Sequence, residues 1–170
     1  MPTKNKKKKL NLKNKPKDYW TQKLKKTEGV PKVSKIEGKM SKRWGTGTVA
    51  IPSPVEVNNI IKRVPKGKLI TINQIRKKVA RKHKATIGCP ITCGIFAWIS
   101  ANAADEQEKQ GKKNTTAYWR TLKGEGELNP KYPGGVMGQA KKLRSEGHKI
   151  KKKGKKKYTV AEYQEKLVRT

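Results

Sequence analysis

The chain has 170 residues, with 44 Lys and Arg against 12 Asp and Glu and a net charge of +32, which leaves room for one ordinary domain with tails. Charge of that size opposes compaction unless a polyanion shares the surface, so nucleic acid is the first partner to expect and an anionic membrane surface the second. No apolar run approaches the roughly 20 residues that span a bilayer, and the basic amino end MPTKNKKKKLNLKN has no apolar core to act as a secretory signal.

Residues 1–43 carry fifteen lysines and Arg43 against Asp18, Glu28 and Glu37, with few apolar residues and no period. That composition predicts a basic, disordered arm that orders on nucleic acid; Tyr19 and Trp20 are its only aromatics before the composition changes at Trp44. A folded domain is expected over 44–148. Ser53 before Pro54 is a helix start, with Ser as N-cap and Pro at the first helical position, and Val57, Ile60, Ile61 and Val64 then share one face. After the turn Pro65–Gly67, Thr71 and Gln74 form a capping box. Ile72, Ile75 and Val79 make the buried stripe of the second helix, and Arg76, Lys77, Lys78, Arg81 and Lys82 take its other faces.

Pro90 and Thr92 open a third helix, whose apolar side is expected to hold Ile91, Ile95, Trp98, Ile99 and Ala103 before a polar tail, DEQEKQGKK. Cys89 and Cys93 stand at its start; two cysteines four apart are too few for a disulfide framework, and they read as reduced, buried thiols of an intracellular, DNA-associated protein. His83 and His148 are far from them in sequence, so no metal and no small-molecule cofactor is expected. YWRTLKGEGELN alternates weakly around Gly124 and Gly126 and suggests a hairpin. PGGVMGQAKKLRSEG reads as a fourth helix with Val136, Ala140 and Leu143 inward and Gly147 as its stop. HKIKKKGKKKYTV reads as two strands joined by a turn that holds Lys151, Lys152, Lys153, Lys155, Lys156 and Lys157, a phosphate clamp by composition; it opens a basic C-terminal hairpin and tail over 149–170. The whole is a mainly α fold with small β-hairpins, in the outline of a winged helix-turn-helix.

From about Ser53 to His148 the residues resemble the DNA-binding domain of alkylguanine-DNA alkyltransferases and the related alkyltransferase-like proteins. RVPKGKLITINQI is similar to the family's V-P-x-G-x-V-x-x-Y-x-x-I/L segment, and AWISANA to the end of its recognition helix, which places the family's Asn hinge at Asn102. AYWR falls where active members have Pro-Cys-His-Arg, KYPGG resembles the pocket loop with its Tyr and two Gly, and SEGH resembles the end of the last helix, whose Glu supports the catalytic His. One extra residue lies between Arg120 and Tyr132. The resemblance implies a DNA minor-groove binder with a base pocket built from Tyr118, Trp119, Arg120, Tyr132, Gly134, Gly135 and Glu146. It also implies DNA contacts from Ile72, Ser100, Asn102, Arg76, Lys77 and Arg81, alongside the lysine turn.

The departures from the family carry the functional expectation. Active members move an alkyl group from guanine to the motif Cys as a thiolate; here that position is Tyr118, the His position is Trp119 and the Pro position is Ala117. A phenol with a pKa of about 10 is a poor nucleophile near neutrality, and indole is no base. The family's backbone-turning Tyr and stack-filling Arg correspond to Ile72 and Ser100. No catalytic residue is therefore expected. The leading expectation is a non-catalytic binder of double-stranded DNA that senses alkylated guanine and hands it to other repair proteins. The alternatives are a DNA-packaging protein on the same fold, and an active methyltransferase with an unorthodox acceptor at Cys89, Cys93 or Tyr118. Lysines alone do not distinguish DNA from RNA.

Overall fold

The computed structural model describes residues 15–169; the first fourteen residues of the expected arm lie outside it. The rest of that arm is folded, against expectation. Residues Tyr19–Leu24 form helix α1, Lys32–Lys35 strand β1 and Met40–Trp44 helix α2. Apolar content in this stretch is low, but Trp20 and Leu24 are one helical turn apart and pack against Phe96, Trp98, Ile99 and Ala103. The backbone N–H groups at the start of α1 find a partner far along the chain: Glu106 accepts from Trp20 N at 2.9 Å, Thr21 N at 3.1 Å and Thr21 Oγ1 at 2.8 Å. A carboxylate at a helix N-terminus satisfies orphan donors and complements the dipole. Strand β1 is exposed along its length and is an edge, pairing antiparallel with β2 (Thr48–Ile51), which in turn pairs parallel with β4 (Ile87–Gly88).

Three helices form the centre: α3 (Pro54–Lys62), α4 (Ile72–Lys82) and α5 (Pro90–Lys109). The caps are those read from the sequence. Ser53 Oγ accepts from Glu56 N, and Thr71 and Gln74 close a reciprocal capping box. Val57, Ile61 and Val64 meet Ile70, Ile75 and Val79 in one core, closed by Ala50, Cys93 and Ala97. His83, at the end of α4, is half-buried and bonded to the buried Glu56 of α3 at 2.8 Å, so it ties two helices together rather than lying on the surface.

Helix α5 departs in part from its expected orientation: Ile99 and Ala103 are buried as expected, with Trp98 packed beside them, but the start of the helix is turned. Cys93, Ala97, Ser100, Ala101 and Ala104 are buried, whereas Ile91 and Ile95 are exposed. Its first half is apolar on nearly every side, so periodicity does not select a face; the small residues pack inward because they let neighbouring helices come close. The helix also continues unbroken through Asn102 to Lys109, so the chain does not leave the helix at the expected hinge, consistent with the alanine-rich stretch around it.

The expected hairpin over 118–129 does not form. Tyr118–Arg120 form a single 3-10 turn, and Thr121–Leu122 (β5) pair in parallel with the distant Ile70–Thr71 (β3). Helix α6 (Gly135–Ser145) opens through Gly134 at φ 77° and Gly135 at φ 65°, two successive left-handed positions that only glycine adopts readily. The C-terminal hairpin is present: β6 (Ile150–Lys152) pairs antiparallel with β7 (Tyr158–Val160). After a short α7 (Tyr163–Lys166) the tail returns to the core: Val168 packs on the first core cluster, Leu167 on a second, and Val168 O accepts from Gln74 Nε2 at 2.8 Å. The second cluster joins Leu69, Leu122, Leu128, Ala140, Leu143 and Val160. The architecture is mainly α with small groups of strands, and no described helix is long and apolar enough to cross a membrane.

Candidate nucleic-acid interface

The residues assigned to a base pocket do come together, but they fill the space themselves. Tyr118 is 1% exposed, and its ring meets Tyr132 edge-on at 5.8 Å and Trp119 edge-on at 5.5 Å, over Ala101 and Ala104 of α5. Burial first, then the nearby Asp105 and Glu108, pushes the Tyr118 phenol up to about 12, and burial raises Tyr132 as well. Both hydroxyls are therefore protonated at neutral pH.

Glu146, one residue past α6, has a new set of partners. Its carboxylate accepts from Trp119 Nε1 at 3.1 Å, from Arg120 Nη2 at 2.6 Å and Nε at 3.0 Å, and from Gly67 N at 3.4 Å. Arg120 also donates from Nη1 to Val64 O at 2.7 Å. The indole N–H thus takes a carboxylate bond of the kind that the resemblance gave to a histidine. Burial opposes the Glu146 charge, yet the bonds from Arg120 and Trp119 outweigh it and hold the carboxyl below its usual range. The Arg120 side chain is largely covered in this knot.

Gln139, which the sequence reading missed, organises the loop around these residues. It is fully buried, donates to Trp119 O and Thr121 O, and accepts from Asn129 N at 2.7 Å. A lone Gln on a helix gives no sequence signal of such a role. His148 is also buried, and its Nε2 has no partner among the described residues. Burial lowers its pKa most; Glu146 nearby favours the charge, while Lys166 and Arg120 oppose it.

The expected DNA contacts divide in two. Ser100 is fully buried, with its hydroxyl bonded to Phe96 O at 2.9 Å; it belongs to the helix core and not to a binding face. Ile72 packs against the first core cluster, and Asn102 donates back to Trp98 O within its own helix. Arg76 spends its Nε on Gly88 O, locking α4 to β4. Lys77 and Arg81, by contrast, are exposed on the outer side of α4, and Lys151, Lys152, Lys155, Lys156 and Lys157 are exposed on the β6–β7 hairpin. None of these seven has a salt bridge among the described residues. Lys153 differs from its neighbours, because it is paired with Glu125 at 2.9 Å.

Cys89 and Cys93 are both buried. Burial first, with Cys89 next, pushes the Cys93 thiol up to about 12. Among the described residues no group of three or more His, Cys, Asp or Glu is placed to hold a metal ion.

No family model matches the chain, and no curated protein matches it. Among solved structures, the chain is similar to the crystal structure of S. pombe Atl1 in complex with damaged DNA containing O6-carboxymethylguanine. The identity is 18%, the match covers 69% of this chain and 94% of that one, and the TM-score is 0.48.

Proposed function

We propose that this chain binds duplex DNA without performing chemistry on it, gripping phosphates with the outer face of α4 and with the β6–β7 lysine turn. One observation carries this reading. The pocket residues Tyr118, Trp119, Arg120, Tyr132 and Glu146 are consumed by contacts with one another, while seven lysine and arginine side chains on two surfaces stay exposed and unpaired among the described residues. The excess of positive charge supports a polyanion as partner, and the sequence resemblance between Ser53 and His148 favours duplex DNA over RNA.

An unorthodox acceptor is disfavoured by the same geometry. Alkyl transfer needs an accessible thiolate or an equally activated group, and Cys93 and Tyr118 are buried with their protons held to about pH 12. Lesion sensing would require the Tyr118 ring to leave its packed site before a base could enter. Binding indifferent to guanine alkylation, as suits an architectural or packaging protein, is the expectation. Competition at physiological salt between unmodified and alkylguanine duplexes tests it. The two should bind alike, within about twofold; a base stacked on Tyr118 would gain roughly 1–3 kcal/mol, or about fivefold and more, and such a preference would establish lesion sensing instead.

A further inference from the structure

We propose that the chain carries a second phosphate-binding face, on β1, α2 and the turn between them, and that with it one molecule holds two duplexes at once. The proposal rests on the duplex-binding reading above and adds a bridging activity to it. Lys32 and Lys35 on β1, Lys39 before α2, and Lys42 and Arg43 within α2 are all exposed, and Glu37 is the one acid among them. None of these five cations has a salt bridge among the described residues. The fold does not need their charge, because Ile36, Met40 and Trp44 anchor the stretch by packing with Val49, Ile51, Ile87 and Cys89.

The place of this face in the fold separates it from the first grip. The β6–β7 hairpin packs through Ile150, Tyr158 and Val160 with Leu69, Leu122 and Leu128. That cluster shares no residue with the one beneath β1 and α2. The central cluster of α3, α4 and α5 joins the two: it takes Ala50 from β2, next to Val49, and Ile70 from β3, next to Leu69. Arg76 locks α4 to β4 through Gly88 O at 3.0 Å, and in the strand order β1-β2-β4 the basic strand is the edge remote from that lock.

Unpaired cations on a molecule of net charge +32 call for an anionic occupant, and a duplex offers a line of phosphates that lysine and arginine bind without reading bases. A straight duplex seated on α4 and the lysine turn leaves the β1 edge uncovered, so this face takes its phosphates from another duplex. A second copy of the chain is disfavoured as occupant. Lysines on an edge strand oppose pairing with another strand, and the like charge of two copies repels. Each bound chain then acts as a crosslink, which is what an architectural or packaging protein requires.

The test uses the full chain at physiological salt. The protein is loaded on an immobilised short duplex, washed, and offered a fluorescent duplex, whose capture reads bridging; sedimentation in excess duplex reads stoichiometry. The wild-type chain is expected to capture the second duplex and to form a complex of one chain with two duplexes. Changing Lys32, Lys35, Lys39, Lys42 and Arg43 to Gln, all at exposed positions, should lower capture about tenfold, as several phosphate contacts are lost. The same variant should keep its affinity for a single duplex within about threefold and its salt slope within about one unit. Changing Lys151, Lys152, Lys155, Lys156 and Lys157 to Gln removes as much charge and should instead flatten the single-duplex slope. Tight binding of one duplex without capture of a second would overturn this inference alone. So would capture undiminished in the first variant, capture that needs two chains, or a single-duplex slope flattened as much by the first variant as by the second, which would lay both faces on one duplex. Failure of the wild-type chain to bind duplex would overturn the duplex-binding reading with it.

Discussion

Glu146 shows how one carboxylate holds several elements, and what its loss would leave behind. It accepts from Trp119, Arg120 and Gly67, and its side chain and that of Arg120 are both largely buried. Glu146→Ala strands the guanidinium without a counter-charge, so a loss of about 3–5 kcal/mol is expected in denaturant unfolding. Tyr118→Ala should cost a similar amount, about 3–5 kcal/mol, through the cavity it opens between Tyr132 and Trp119, while Tyr118→Phe keeps the ring and should cost less than about 1 kcal/mol. The pH dependence follows from two depressed pKa values. His148 sits below its ordinary 6.5 because burial disfavours its charge. The unfolded chain therefore takes up that proton first, and the stability is complete above about pH 6.5 and falls as pH drops toward the folded value. Glu146 sits below its ordinary 4.5, so its contribution is present above that value and is lost as pH falls through the folded one. Unfolding midpoints measured from neutral to mildly acid pH should decline, and His148→Gln should flatten the upper part of that decline. An unchanged profile in His148→Gln would remove His148 from this account.

Helix α1 owes its existence to α5. Its first backbone N–H groups bond to Glu106, and Trp20 and Leu24 pack on Trp98, Ile99 and Ala103. Glu106→Ala removes that trans cap, and α1 should fray at a cost of about 1–2 kcal/mol, the range of a lost helix cap. A red shift of tryptophan emission, as Trp20 gains solvent, would report it; an unshifted spectrum would show that packing alone holds α1. The same element marks where the sequence stops being legible. Helices α3, α4 and α6 can be read because their signals are local: Ser53 before Pro54, Thr71 with Gln74, and the spacing of Val136, Ala140 and Leu143 ahead of the stop at Gly147. Helix α1 could not be read, because its partner is 85 or 86 residues away and its own composition is that of a solvated tail. Strand β5 reads locally as half of a hairpin because its partner, Ile70–Thr71, lies about fifty residues earlier in sequence. Within the pocket, the grouping of Tyr118, Trp119, Tyr132 and Glu146 was legible from motif order. The inward turn of Arg120 and Ser100 was not, because burial of a side chain depends on which face of a helix or turn the rest of the fold covers.

Across the whole molecule, charge is distributed unevenly in function as well as in number. Twelve acidic residues stand against 44 basic ones, and several acids are committed to internal work: Glu56 to His83, Glu106 to α1, Glu146 to Arg120 and Trp119. The net positive charge is thereby left on the outside, with α4 and the β6–β7 turn among its carriers, while the pocket positions are closed by aromatic packing. A molecule built this way should bind DNA by releasing counterions and not by recognising a damaged base. No covalent product is expected either: intact mass after incubation with excess alkylguanine oligonucleotide should be that of the unmodified chain, and a stoichiometric gain on Cys89, Cys93 or Tyr118 would contradict the non-catalytic reading.

The most direct measurement is the salt dependence of duplex affinity for the full chain and for a variant with Lys151, Lys152, Lys155, Lys156 and Lys157 changed to Gln. Each phosphate neutralised contributes about −0.9 to the slope of log affinity against log salt. The full chain should give a steep line, the same for plain and alkylguanine duplexes, and the variant a line flatter by roughly two to four units, as some but not all five lysines meet phosphate. A slope unchanged by the substitutions, or a shallow line with tight binding only to the alkylated duplex, would contradict a phosphate-driven grip.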